Sequence, residues 1–158
     1  MCAAYGAKDS GDARQALDLL LESGDIAREE NTDHVTEDHV RRARKRLQTN
    51  QVIEGISNYS LHGQLVLWAL CLLEERGETP ARTREIRPPY EKLCDQRATD
   101  PVSDRAVREY LAELETLGII HSDWRNQGKG GGKFKEHELN QSVSSVKAGL
   151  EELVGTSL

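Results

Sequence analysis

The sequence predicts a mainly α chain of two units, a small all-helical one over residues 1–50 and an α+β one over residues 51–158 that closes on a short β-hairpin and a last helix. Three observations predict it. Apolar residues recur at three- and four-residue steps in successive segments, as one buried face of a helix requires. After Gly118 that period gives way to two short alternating segments, Ile119–Trp124 and Lys133–Leu139. Between these lies Arg125-Asn-Gln-Gly-Lys-Gly-Gly-Gly, whose glycines and polar side chains suit a hairpin tip.

The first unit opens on Cys2-Ala3-Ala4-Tyr5, which reads as the tail of a helix begun upstream, and Gly6–Gly11 reads as a break. Asp12–Arg28 is expected to be a helix with Ala13, Ala16, Leu17, Leu20, Leu21 and Gly24 on its buried face and Asp12 at its positive end. Asn31–His34 is a polar link, and Thr36 is expected to cap a helix with Val40, Ala43 and Leu47 inward. About 50 residues is marginal for independent stability, so this unit is expected to pack on something else.

The second unit starts near Ser60. Leu61–Arg76 reads as an amphipathic helix with Leu61, Leu65, Trp68, Ala69 and Leu72 in register, stopped by Gly77-Glu-Thr-Pro. Thr83–Ile86 reads as an edge strand or a cap, and Pro88 and Pro89 suit the start of a helix through Tyr90, Leu93 and Cys94. Asp100-Pro101 closes that helix. Ser103 caps the next, which carries Val107, Tyr110, Leu111, Leu114 and Leu117 inward and ends at Gly118. Ser142 or Ser144 caps a last helix holding Val146, Leu150, Leu153 and Val154. Three helices, a strand, a basic Gly-rich loop and a second strand, in that order, make a winged helix-turn-helix.

Composition bounds the function. The longest apolar run, Leu65–Leu73, has nine residues, against about 20 for a membrane span, and Met1–Tyr5 begins no secretory signal. Cys2, Cys71 and Cys94 fit neither a disulfide framework nor a zinc site, so a reducing cytoplasm is the expected compartment. The net charge is −6, and the acid excess is spread evenly along the 158 residues. Only 7 of the 21 cations are lysine, a composition that suits a salt-adapted proteome. Two stretches are strongly basic: Arg41, Arg42, Arg44, Lys45 and Arg46, and then Arg125, Lys129, Lys133 and Lys135.

In a winged helix the third helix enters the DNA major groove and the hairpin reaches the neighbouring minor groove or backbone. The outer face of that helix carries Asp104, Arg105, Arg108, Glu109 and Ala112, so Arg105 and Arg108, with Ser103 at the cap, are its candidate DNA contacts. Arg125, Lys129, Lys133 and Lys135 are the candidate contacts of the wing. A solvated helix face and a flexible loop would have the same composition, and Glu109 and Glu113 weigh against DNA. The run at 41–46 fits equally a solvent-exposed face balanced by Asp33, Glu37 and Asp38. Gly128–Lys133 is no Walker A motif, because Phe134 follows Lys133 and the run leads into a strand rather than a helix. His34 and His39 lack a metal-binding spacing and read as surface histidines. No catalytic arrangement is apparent.

Gly11-Asp-Ala-Arg-Gln-Ala-Leu-Asp-Leu-Leu20, followed by Glu22-Ser-Gly-Asp-Ile-Ala27, closely resembles the lid of the archaeal origin-recognition and cell-division-control initiators, AAA+ ATPases of DNA replication. Val35-Thr-Glu-Asp-His-Val-Arg-Arg-Ala is similar to the closing lid helix of that family. Ser103-Asp-Arg-Ala-Val-Arg, Leu114–Ile120 and the basic wing are similar to its origin-binding winged helix. The resemblance implies a helical AAA+ lid over 1–50, with Arg14 as the sensor-2 residue that reaches the γ-phosphate of bound ATP, and a DNA-binding winged helix over 51–158. It implies double-stranded origin DNA as partner, with the replicative helicase and other initiator subunits as further partners, no membrane, and a cytoplasmic, nucleoid-associated location. The nucleotide-binding core of the family has no counterpart in these residues. The chain by itself is therefore expected to hydrolyse no ATP and to need no cofactor, ATP or ADP with Mg2+ belonging to the full-length parent. Two other readings stay open: a winged helix that binds proteins of the replication machinery, and a stand-alone transcription regulator with the lid-like half as a dimerisation element.

Overall fold

A computed structural model describes residues 10–128 and 132–155 of the chain. The expected helix tail at Cys2–Tyr5 and the wing residue Lys129 lie outside them. The chain divides into two compact units, Met1–Asn50 and Gln51–Leu158.

The first unit holds α1 (Ser10–Glu29) and most of α2 (Glu37–Ile56). Thr36 caps α2: its Oγ1 accepts the His39 amide at 3.4 Å, and the Thr36 amide donates back to His39 Nδ1 at 3.1 Å. This is the reciprocal geometry of a capping box, with histidine where glutamate is usual. His39 is thereby buried rather than on the surface, and its Nε2 lies 2.9 Å from Glu30 Oε2. The buried side of α1 is Ser23, Ile26 and Ala27, whereas Leu17, Leu20 and Leu21 are 60%, 50% and 62% exposed. The expected stripe is real in the sequence, but no described residue of this unit covers it. The division between units falls inside α2, which runs on past residue 50 so that Val52 and Ile56 join the core of the second unit.

That core is built around α3 (Leu61–Glu75), capped by Ser60, whose hydroxyl accepts the Gly63 amide. The helix is not amphipathic. Gly63, every residue from Leu65 to Cys71, and Leu73 are buried, and the helices Thr83–Gln96, Asp104–Thr116 and Val143–Val154 and the strand Lys133–Leu139 all pack on it. A helix enclosed on most sides must be apolar on most sides. Leu61, expected inward, is 39% exposed at its open end.

β1 is only Ala81–Arg82, and Thr83–Ile86 is the first turn of α4 (Thr83–Gln96) instead of a strand. The Arg82 amide donates to Glu85 Oε2 at 2.8 Å, which opens this helix upstream of its prolines. Pro88 and Pro89 therefore sit inside α4. Next come α5 (Asp104–Thr116), β2 (Ile120–Asn126), β3 (Lys133–Leu139) and α6 (Val143–Val154), the last capped by Ser142. The antiparallel sheet has the order β1-β3-β2, with Ala81 opposite His137, Ser122 opposite His137 on the other side, and Trp124 opposite Lys135. Val107, Leu111 and Leu114 are buried on α5, whereas Leu117 is 48% exposed, because it is the C-cap, where the chain leaves the helical path. Gly118 at φ +72° completes that turn, and the Ile119 amide returns to the Leu114 carbonyl at 3.1 Å. A left-handed residue here is what glycine supplies without a Cβ clash.

Two predictions follow from the packing. A Cβ on Gly63 would lie 3.0 Å from Tyr110 Cδ1 and 3.1 Å from Tyr59 Cδ1, and Tyr110 is tied by its hydroxyl to Ser60 Oγ at 2.6 Å. Helix propensity alone would make Gly63→Ala stabilising by about 1 kcal/mol. Overpacking is expected to reverse that sign, with a net loss of about 1 kcal/mol in urea unfolding; a raised midpoint would contradict it. The second concerns His137, which is buried with Nδ1 2.8 Å from Ser122 Oγ. Burial, and then the nearby Lys135, push its pKa down to about 4. The unfolded chain, with an ordinary histidine near 6.5, binds the extra proton first, so stability rises with pH across this window. The contribution is complete above about pH 6.5 and is lost as pH falls toward 4, on the order of 2 kcal/mol in all. His137→Gln is expected to flatten that part of the stability–pH curve; an unchanged slope would show that His137 does not titrate there.

Candidate nucleic-acid interface

The start of α5 is fixed by polar ties from α4. Irregular backbone between two helices needs partners for its amides and carbonyls, and α4 supplies them. The Tyr90 hydroxyl accepts the Val102 amide at 3.0 Å, and Arg87 Nη1 donates to the Val102 carbonyl at 2.6 Å. Arg87 also pairs with Glu91 at 2.6 Å and with Asp104 at 3.0 Å. The Tyr90 ring is fully buried and its hydroxyl, pushed up to about 12 by that burial, stays protonated and meets His62 Nδ1 at 2.8 Å. Ser103 then caps α5, its hydroxyl accepting the Ala106 amide.

The outer face so presented carries Arg105, Arg108, Glu109, Ala112 and Glu113, all exposed. Arg105 is 87% exposed and lies along the helix with Nε 3.0 Å from Glu109 Oε1. Arg108 donates to the Asp104 carbonyl at 3.2 Å and has no carboxylate partner among the described residues. Ser103, Arg105 and Arg108 thus fall in the opening turns of one helix, with both guanidinium groups at the surface.

The wing is the β2–β3 hairpin. Its sequence-predicted cations do not all stand in the same relation to solvent. Lys133 is exposed at the outer end of β3. Arg125 is half exposed and meets Glu136 at 3.2 Å across the ladder. Lys135 is turned inward: its Nζ lies 2.7 Å from Glu115 Oε2 on α5 and 5.6 Å from the centre of the Trp124 ring. Arg82 of β1 stacks on Phe134 at 3.6 Å. The described residues flanking the Gly-rich run belong to strands, Asn126 ending β2 and Lys133 opening β3. Arg14 is exposed in the opening turns of α1, in the first unit.

The basic stretch at 41–46 has a structural use. Arg46 reaches Glu22 at 2.9 Å and Glu29 at 3.3 Å, Arg42 pairs with Glu30, and Arg41 lies near Glu37 and Asp38. Glu22 and Glu29 lie on α1 and Glu30 directly follows it, in addition to the Glu37 and Asp38 expected from sequence proximity. Arg42 and His39 in turn hold the Glu30 carboxyl below the usual carboxylate range. Among the described residues no group of three or more His, Cys, Asp or Glu side chains is placed to hold a metal ion. No described helix is long and apolar enough to cross a membrane.

Sequence reading passed over three residues that matter here. Arg87 and Tyr90 fix α5, and their separation of three on one helix face was the available signal. Trp124, 66% exposed in the wing, was visible only as one residue of a strand.

Fold and site together define a helical lid followed by a winged helix of the kind found in DNA replication initiators. Residues 54–148 match the family model described as the CDC6 C-terminal winged helix domain, and residues 1–45 match that of the Cdc6 AAA+ ATPase-type lid domain. The chain belongs to the Cdc6 family of replication proteins. It is 47% identical over 154 residues to the ORC1-type DNA replication protein 11 of Haloarcula marismortui, covering 98% of this chain and 37% of that protein. It is 40% identical over 147 residues to the ORC1-type DNA replication protein of Thermococcus onnurineus, covering 93% of this chain and 35% of that protein. The chain thus spans little more than a third of these relatives. The structure of the Aeropyrum pernix ORC1 protein in complex with DNA superposes with a TM-score of 0.78 at 36% identity, over 97% of this chain and 40% of that one.

Proposed function

We propose that this chain is the lid and duplex-DNA-binding part of an archaeal replication initiator, and that α5 and the wing carry origin recognition. One observation supports this most: two exposed arginines in the opening turns of α5 accompany a cationic hairpin, in a fold whose 36%-identical relative was solved with DNA. In this reading Arg105 and Arg108 contact guanine edges or phosphates in the major groove. Arg125 and Lys133, with Lys129 from the sequence, meet phosphates along the neighbouring groove. Ser103 acts through the start of α5.

The parent protein would recognise the origin and help to load the replicative helicase under ATP control, together with other initiator subunits, in the cytoplasm at the nucleoid. ATP or ADP with Mg2+ would be held by the parent's ATPase core, which supplies the hydrolytic chemistry. This chain's contribution to it would be the Arg14 guanidinium, whose exposure at the opening of α1 leaves it able to approach a γ-phosphate. Arg14 has no part in the DNA contacts.

The test is fluorescence anisotropy of the chain with an inverted-repeat origin duplex and with a scrambled duplex, over a salt series. Tighter binding to the origin duplex at every salt is expected. Arg105→Ala and Arg108→Ala are each expected to weaken origin binding by about 1–3 kcal/mol and to narrow the gap between the two duplexes. Unchanged affinities would remove α5 as the reading element. Absence of binding to either duplex would favour a protein-interaction role for the winged helix.

A further inference from the structure

We infer that Lys135 is not a DNA contact but a brace, which with Glu115 and Trp124 sets the angle of the wing against α5. The inference rests on the DNA-binding reading above for its purpose, but not for its geometry. Lys135 leaves β3 on the face it shares with the buried His137, two residues along. Its Nζ meets Glu115 Oε2 at 2.7 Å, one residue before the end of α5, and Trp124 directly opposite on β2 lies under it at 5.6 Å. Lys135 and Glu115 are 29% and 33% exposed, more enclosed than Arg105 and Glu109 at 87% and 61%. The ladder continues outward past this point to Asn126 opposite Lys133. The pair therefore stands where the hairpin leaves the body of the domain, the position at which a cross-link governs its tilt.

The consequence is one of specificity. A winged helix reads two grooves at once, and the spacing of those grooves is fixed by the duplex. A wing held at one angle to α5 engages both only when α5 is in register with its site, whereas a loosely held wing settles on phosphates anywhere. Trp124 belongs to the brace as the platform over which the ammonium sits. On this assignment the carboxylate of Glu115 is not an obstacle to DNA binding but part of what makes it selective.

Two measurements on the same variants test this. In the free chain, amide hydrogen exchange of the outer ladder residues 124–126 and 133–135 is expected to rise about tenfold in Lys135→Met and in Glu115→Gln, with the core amides unchanged. In binding, both variants are expected to lose about tenfold in the ratio between origin and scrambled duplex. The slope of log affinity against log salt should keep its wild-type value, and Lys135→Arg should restore both readouts. Unchanged exchange overturns the brace whether or not the chain binds DNA. A salt slope shallower by about one, with equal loss on both duplexes, makes Lys135 an ordinary phosphate contact instead. Should Lys135→Met not fold, Glu115→Gln, nearly the same shape, carries the test alone.

Discussion

Enclosure of α3 is the constraint on which the winged helix depends. A helix with Leu65, Val66, Leu67, Leu70 and Cys71 all fully buried cannot lie on a surface. Each such large aliphatic side chain contributes roughly 1.5–3 kcal/mol when removed from water, and collecting those contributions requires neighbours on nearly every side. α4, α5 and α6 and strand β3 are those neighbours. Their positions follow from α3 more than from one another. Gly63 marks a close approach of α5 to α3, a Cβ there lying 3.0 Å from Tyr110 Cδ1, and Gly149 a close approach of α6 to the end of α2, 3.1 Å from Val52 Cγ1. The same enclosure explains Cys71, whose thiol is pushed far up by burial, the environment of a structural cysteine and not of a nucleophile.

Apolar packing fixes the layout but not the orientation of α5, since Val107, Leu111 and Leu114 would tolerate rotation and slip along the axis. Directional groups remove that freedom. Arg87 and Tyr90 hold both the amide and the carbonyl of Val102, and Ser103 caps the helix immediately after. The Val102 bonds fall three residues before Arg105 and six before Arg108. The precision of the candidate interface therefore comes from a polar seam on α4, the side chains of Arg87 and Tyr90.

How much of this was legible in the sequence depended on whether the signal was local. The caps at Thr36, Ser103 and Ser142, the helix end at Gly118 and both strands of the hairpin are written in a few adjacent residues, and the structure has them. β1 was missed because two residues carry no period; only pairing with Glu136 and His137 makes Ala81–Arg82 a strand. The prolines misled because Pro at the first helical position is the common case, and α4 opens earlier from an arginine, a residue that does not signal a cap, with Glu85 accepting its amide as in a capping box. α1 was assigned a buried stripe that is exposed, since periodicity reports that a face needs cover and not that this unit supplies it. At the candidate interface the sequence gives the charges, yet it does not distinguish Lys133 at the surface from Lys135 turned onto Glu115. That distinction needs the ladder register and the end of α5 to meet, 20 residues apart in the chain.

The acid excess takes on a different meaning once these pairs are placed. Arg105 lies against Glu109, Arg125 against Glu136, and Lys135 against Glu115, so three of the cations once grouped as DNA contacts already have carboxylates. An exposed ion pair of this kind contributes about 0–1 kcal/mol to the fold, so the carboxylates of Arg105 and Arg125 do little for stability. Their effect falls on binding: a phosphate approaching either arginine must displace, and then remain near, a fixed negative charge. Non-specific affinity, which is almost wholly a count of neutralised phosphates, suffers at every site. Contacts that depend on shape and hydrogen-bond direction suffer less, because a bidentate guanidinium–guanine pair gains from geometry as well as charge. In the proposed complex the acidic surface thus lowers the background against which the site is read. It also makes affinity less dependent on the salt-sensitive term, a property suited to the salt-adapted proteome that the low lysine content fits.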